Sequence, residues 1–273
     1  MIEERAVNGP LSQRVAIVTG GGRGLGRAMA LGLARAGARV IATAARERGE
    51  IDEVARESRN IVPLLADVTR EEDCARVVAE AMTRFGRLDV LVNNAGRGMK
   101  YVSESFMTEP TRFWEVEPAT WRMVIDTNVN GPFLMARAAA PRMLAAGWGR
   151  IINVSVSRGT MRRAGFSPYG PSKAALESET IIWAQDLAGS GVMVNALLPG
   201  GATFTGMIPD DFPAERRAKL LQPEVMVPPL LWLASERSDG VTGMRFDASR
   251  WRADLPESEA AASASENAGW HGP

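Results

Sequence analysis

The sequence predicts an α/β protein: a doubly wound parallel sheet of about seven strands with helices on both faces, a three-layer α/β/α sandwich in a single domain. Three observations predict it. Short apolar, β-branched runs alternate with helical stretches along nearly the whole chain. A glycine-rich turn, Thr19-Gly-Gly-Gly-Arg-Gly-Leu-Gly26, stands directly between the first such run and the first helix. The polar motifs fall where strands end, and open parallel sheets bind ligands at that edge. A chain of 273 residues, 45% of them hydrophobic, is long enough to build such a domain around a sizeable core.

The elements follow in order. Residues 1–13 read as a loose leader. Val15-Ala-Ile-Val18 is a buried strand, and the helix over 27–36 stops at Gly37. Strand, glycine turn and helix together form a phosphate cradle. Gly20, Gly22, Gly24 and Gly26 let the backbone, with Arg23 and Leu25, approach an anion, and the helix N-terminus offers it unpaired N–H groups. No Gly-Lys-Ser/Thr closes the turn, so it is not a Walker loop. The second strand spans 39–43. NAD-binding folds usually end this strand on a carboxylate that holds the ribose 2′-hydroxyl, yet here Thr43-Ala-Ala-Arg46 has none before Glu47. Arg46, with Arg23, suits a 2′-phosphate, which guanidinium groups bind bidentately, so NADP(H) is the expected cofactor in preference to NAD(H).

A helix over 46–59 leads to a strand at 61–65, then to Asp67 and Val68. A helix over 71–85 carries Cys74, and a strand at 88–92 runs into Asn93-Asn-Ala-Gly96. Residues 98–117 are irregular and hold Tyr101, Phe106, Phe113 and Trp114. Residues 119–147 are helical, with an interruption at Asn128-Val-Asn-Gly-Pro132. A strand at 150–154 leads to Ser155-Val-Ser157, and a helix carrying Tyr169 and Lys173 runs to about Ala188. The strand at 191–196 exits through Pro199-Gly-Gly-Ala-Thr203, and 204–222 has the mixed character of a lid. A helix over 225–233 must hold Pro228 and Pro229 in its first turn or be broken by them, and a last strand covers 241–246. The domain spans 1–252. Residues 253–273, rich in Ala, Ser, Glu and Gly, read as a poorly ordered tail.

Tyr169 and Lys173, four apart on one helix, project from the same face. A phenol titrates near about 10. An ammonium beside it favours the phenolate and lowers that value, which makes the tyrosine a usable proton donor and acceptor.

Composition excludes other chemistries. Lys+Arg and Asp+Glu both number 32, so no basic field points to nucleic acid. The apolar runs fall short of the ~18 residues that span a bilayer, and the acidic N-terminus lacks the apolar core of a signal peptide. The single cysteine, Cys74, suits a reducing cytoplasm, and one cysteine with one histidine, His271, leaves no expected metal site.

Taken together, Thr19-Gly20-x-x-x-Gly24-x-Gly26, Asn93-Asn-Ala-Gly96, Asn128, Tyr169-x-x-x-Lys173 and Pro199-Gly200 resemble the short-chain dehydrogenase/reductase family in its single-domain, Rossmann-type form, over about residues 12–248. The resemblance implies an NAD(P)-dependent oxidoreductase acting on a small carbonyl or alcohol substrate. Tyr169 would exchange the hydroxyl proton, while Lys173 would lower its pKa and hold the nicotinamide ribose. Asn128 would anchor a proton-relaying water, or bond the backbone of its broken helix, or both. Asp67 and Val68 would flank the adenine. Asn94, Ala95 and Gly96 would line the cofactor, with Pro199 and Gly200 in the exit loop and Thr203 on the carboxamide. Such relatives assemble as tetramers or dimers through the helices that carry Asn128 and Tyr169, so a homo-oligomer is expected.

Two departures stand out. The family's serine lies thirteen residues before the tyrosine, and that position is Val156, flanked by Ser155 and Ser157. Either hydroxyl takes its place, or none does. The second case leaves a cofactor-binding protein without redox turnover as an alternative, beside an epimerase or dehydratase on the same scaffold. The segment between Gly96 and Asn128 is also longer than in compact members. It implies a pocket wall of its own, and its aromatic and Met residues suggest an apolar substrate.

Overall fold

A computed structural model of the protein describes residues 9–210 and 212–269. The strands are β1 (Val15–Val18), β2 (Arg39–Ala44), β3 (Ile61–Leu65), β4 (Val90–Asn93), β5 (Gly149–Val154), β6 (Val192–Leu198), β7 (Met244–Asp247) and β8 (Ser265–Asn267). Among the described residues they form one sheet in the order β3-β2-β1-β4-β5-β6-β7-β8. All neighbours pair in parallel except β7 and β8, which run antiparallel.

The helices are α1 (Gly24–Arg35), α2 (Arg48–Glu57), α3 (Glu71–Phe85), α4 (Pro118–Ile125), α5 (Gly131–Ala146), α6 (Arg158–Met161), α7 (Tyr169–Asp186), α8 (Ala214–Arg217), α9 (Val227–Leu233) and α10 (Glu257–Ala264). Both faces of the sheet are covered, which is why β1 and the middles of β2 and β4 read as apolar runs rather than alternating ones. Successive strand residues point to opposite faces. Ala16 and Val18 join Met29 and Leu33 of α1 and Leu230 and Leu233 of α9 in one core. Val15 and Ile17 join Val77 of α3 and Met135 and Met143 of α5 in the other.

Local chemistry sets several boundaries. Glu71, Glu72 and Asp73 fill the first turn of α3, where negative charge complements the helix dipole, and Gly86 closes it in the left-handed region at φ 74°. Between α4 and α5 the chain does not break. Asp126–Asn130 forms a π-helical turn, the wide turn that often marks a functional position, and Pro132 sits in the first turn of α5, where its missing N–H costs little.

The structure corrects three expectations. The segment taken as a tail is ordered over 253–269: α10 buries Ala260, Ala261 and Ala264, and β8 adds an eighth strand at the sheet edge. Small residues let this helix approach the sheet closely, a form of burial that composition does not reveal. The remainder of that tail, 270–273, lies outside the described residues. The leader is outside them over 1–8, but 9–13 is anchored, with Leu11 fully buried and its N–H bonded to Ala36 O at 2.9 Å. The last parallel strand is shorter than expected, because Gly243 takes φ 70° just before it.

Candidate active site

The glycine turn leaves β1 and is pinned from β4. Asn94 Nδ2 donates to Thr19 O at 2.8 Å and Gly20 O at 3.1 Å, and the Asn94 and Ala95 N–H groups donate to Thr19 Oγ1, each at 3.0 Å. Gly20 and Gly24 adopt φ 63° and 53°, values that disfavour any side chain. A Cβ on Gly26 would lie 2.0 Å from Gly20 O, so only glycine lets α1 start this close to the turn. Gly22 packs on Glu50 of α2, and Leu25 on the core beneath. The exposed Arg23 pairs with Glu50 at 3.4 Å, and the exposed Arg46 follows the end of β2. Asp67 accepts from Thr69 N and Oγ1 in a turn after β3, and Val68 is buried against Gly131.

Tyr169 opens α7, and Lys173 stands one turn further on the same face. Lys173 is 4% exposed, and its Nζ donates to Val154 O at the end of β5 at 2.8 Å. Asn128, in the π-helical turn, is wholly buried. Its Oδ1 accepts from Arg97 N at 2.7 Å, and its Nδ2 donates to Arg97 O and to Ser172 Oγ, each at 2.9 Å. Ser172 Oγ in turn donates to Tyr169 O at 2.7 Å. A Cβ on Gly96 would sit 3.3 Å from Asn128 Oδ1 and 3.8 Å from Lys173 Nζ. The ends of β4 and β5, the π-helical turn and α7 therefore converge at one point on the carboxyl edge of the sheet, beside the glycine cradle.

The protonation of the pair departs from the sequence expectation. The Tyr169 ring packs against Met99, Phe106 and Phe166, and burial pushes its phenol up to about 12 instead of the lysine drawing it down. Burial also pulls the Lys173 ammonium down to about 8. Desolvation disfavours the charged form of each group and is the cause of both shifts.

The serines separate. Ser155 is 2% exposed and turns its hydroxyl inward to Glu177 Oε2 at 3.3 Å. Ser157 lies past the strand end and caps α6, accepting from Thr160 N at 3.2 Å with Thr160 Oγ1 at 3.0 Å. Pro199 is buried, and Gly200 takes φ 89° against Asp247 and Ser249. The Thr203 hydroxyl donates to Gly201 O at 3.1 Å, while its backbone pairs with Leu221. This pairing ties the base of the lid to the exit loop. A cavity of about 400 Å³ opens between α1 and the lid, lined by Gly24, Arg27, Lys100, Phe204, Thr205 and Asp210. Lys100 reaches across it to Asp210 at 3.4 Å; Tyr169 and Lys173 lie outside it. Phe113 and Trp114 of the long segment stand 68% and 66% exposed.

Sequence reasoning missed Arg97, Ser172, Thr160 and Glu177. Only Glu177 carried a signal, its spacing of four from Lys173; the others act through backbone groups or across loops.

The family model for short chain dehydrogenase matches residues 14–216. An A-factor type gamma-butyrolactone 1'-reductase (1S-forming) from Streptomyces virginiae is 34% identical over 250 residues, covering 86% of this chain and 93% of the relative. A protein described as an NAD(P)-dependent gluconate 5-dehydrogenase from Beutenbergia cavernae, solved with NADP at low occupancy, superposes with a TM-score of 0.75 at 33% identity, covering 88% of this chain and 97% of that one. The 3-ketoacyl-(acyl-carrier-protein) reductase of Brucella melitensis, solved with NADH, gives 0.76 at 30% identity, over 86% and 96%.

Proposed function

We propose that this chain, which belongs to the short-chain dehydrogenase/reductase family, is an NADP(H)-dependent oxidoreductase that interconverts an apolar ketone or aldehyde with its alcohol, with Tyr169 as proton donor and acceptor. Membership makes it an NAD(P)-dependent oxidoreductase. The observation that carries the finer reading is the convergence of Lys173 and Asn128 on Gly96, one turn of α7 from Tyr169, beside a cradle that a single Cβ would fill.

The residues present fit a dinucleotide. The turn from Gly20 to Gly26, including Gly22, Arg23, Gly24 and Leu25, would hold its pyrophosphate, with Asn94, Ala95 and Gly96 along its length. Asp67 and Val68 would flank the adenine, Pro199, Gly200 and Thr203 would face the carboxamide, and Arg46 with Arg23 would take the 2′-phosphate. The bound nucleotide supplies or accepts the hydride.

The chain's own groups handle the proton. With its phenol near about 12, Tyr169 is neutral at physiological pH and able to protonate a substrate oxygen. Lys173, at about 8, is still mostly an ammonium there and stabilises the phenolate left behind. Asn128 fixes Arg97 and, through Ser172, the start of the tyrosine's helix. Ser157 accepts from Thr160 N, and when Thr160 Oγ1 is the donor in the bond between the two hydroxyls the Ser157 proton is available to the substrate oxygen. Exposed Trp121, Phe133, Leu144 and Ile182 on α4, α5 and α7 support a homo-oligomer formed through these helices. Low cysteine content supports a cytoplasmic setting.

Tyr169→Phe tests the assignment. A carbonyl and alcohol panel followed at the NADPH absorbance band should lose turnover by about 10²–10⁴-fold, with nucleotide affinity nearly intact; unchanged turnover would falsify it. Ser155, withdrawn to Glu177, and Val156 favour one rival, a cofactor-binding protein without turnover. Tight nucleotide binding with no substrate oxidised or reduced would establish that rival.

A further inference from the structure

Glu177 continues the ladder of Tyr169 and Lys173. Each follows the last by four residues on α7, so all three share a face. Its side chain is 2% exposed, and no catalytic step above uses it. Its Oε2 accepts from Ser155 Oγ at 3.3 Å and its Oε1 from Gly269 N at 3.0 Å. Arg245 Nε lies 3.2 Å from the same Oε1, in ion-pair contact but out of line for a hydrogen bond.

Arg245, itself 3% exposed, extends the network. It donates to Val156 O at 2.8 Å and pairs with Glu266 Oε1 at 3.1 Å. Glu266 Oε2 meets Arg158 Nη1 at 3.0 Å, and Arg158 also donates to Gly269 O at 3.0 Å and Asn267 O at 2.8 Å. Arg158 is thus bound directly to residues 266–269, Val156 through Arg245 and Ser155 through Glu177. Two carboxylates balance two guanidiniums, so the cluster closes on itself. A largely paired, partly buried network of this kind restrains what it holds.

We propose that the segment 265–269 is a strap that sets the position of the Ser155–Ser157 loop, with Glu266 as a positioning residue acting through Arg158 and Arg245. The proposal rests on the reading above, in which Ser157 meets the substrate oxygen. The loop needs such a strap. Ser157 caps α6, a helix of a single turn, and one turn does not sustain itself. Arg158 is the first residue of that turn, and its guanidinium is held by Glu266 and two carbonyls of the strap. Without the Glu266 carboxylate, Arg158 and Arg245 repel across one remaining acid, and Arg158, already 20% exposed, turns to solvent. Arg245 keeps Glu177, so the core stays paired while the loop loses its anchor.

The test uses the full chain carrying Glu266→Ala or Glu266→Asp, with and without Ser157→Ala. It measures kcat on a carbonyl that the parent reduces, NADPH affinity, and hydrogen exchange at individual amides. Glu266→Ala should lower kcat about 10–100-fold, the range expected from a misplaced catalytic group, with NADPH affinity unchanged, and Glu266→Asp should recover most of it. In the Ser157→Ala background, Glu266→Ala should add nothing. Exchange at Thr160 and Met161 should rise about tenfold, as a locally opened turn requires, while β1 stays protected. An unchanged kcat, an equal loss in the Ser157→Ala background, or faster exchange throughout the core would overturn the strap. If the parent reduces no carbonyl, the functional reading has failed, and exchange decides the strap alone: a rise confined to 155–161 supports it and no rise refutes it.

Discussion

Replacing Lys173 with Met should stabilise the protein while abolishing turnover. Burial lowers the Lys173 pKa from 10.5 to about 8. At ~1.4 kcal/mol per pKa unit, keeping the ammonium charged near neutral pH costs the folded state ~3 kcal/mol relative to the unfolded chain. Met is of similar length and carries no charge to desolvate. It forgoes the charge-assisted bond to Val154 O, worth ~2 kcal/mol. The expected gain is ~1 kcal/mol, a rise in Tm of roughly 2–4 °C for a chain of this size. The sign follows from the folded pKa lying below the unfolded one. Between pH about 8 and 10.5 the unfolded chain holds more protons, so wild-type stability recovers across that window. The gap between mutant and parent is therefore full below pH about 8 and closes toward 10.5. Cys74 on α3, pushed up to about 12, titrates alike in the two proteins and cancels in the difference. Thermal or urea unfolding of the nucleotide-free proteins at several pH values measures the gap. A mutant less stable than its parent near pH 7, or a gap that does not change with pH, refutes the claim that burial dominates this lysine.

The serines give a paired prediction. Ser157→Ala should cost about 10²–10³ in kcat, as loss of one oxyanion donor does, while Ser155→Ala should leave kcat nearly unchanged because its hydroxyl is held by Glu177; steady-state kinetics showing the opposite order would exchange their roles. Arg46→Asp should weaken NADP(H) about 10–100-fold, the range of one or two charge-assisted bonds, without weakening NAD(H). Calorimetry finding that the parent already prefers NAD(H) would sink the charge argument. Ile182→Lys should lower the solution mass measured by light scattering, and a parent already monomeric at working concentration would remove the oligomer.

What was legible in the chain follows from which interactions are local. The parallel sheet announced itself because both faces of its central strands are buried, so that residues 15–18, 40–42 and 90–92 are wholly apolar runs. The cradle was legible because its glycines all fall within the seven residues 20–26, close in sequence as well as in space. The strap was not. Ser-Glu-Asn is a poor strand by composition, and β8 exists because β7 offers it an unpaired edge and because Glu266 finds two arginines there. Tyr169 and Lys173 were legible as a pair but not in their protonation. That depends on Met99, Phe106 and Phe166, which reach the ring from two other segments and remove the water that would have carried the charge. Strand alternation did indicate that neighbouring residues at 155–157 face different ways. It did not indicate which way, because that is decided by Glu177, twenty-two residues downstream of Ser155, and by Arg245, which meets Glu177 only once β7 has taken its place beside β6. Glu177 is marked only by its spacing of four from Lys173, and Arg245, which completes the choice of serine, is marked by no local motif.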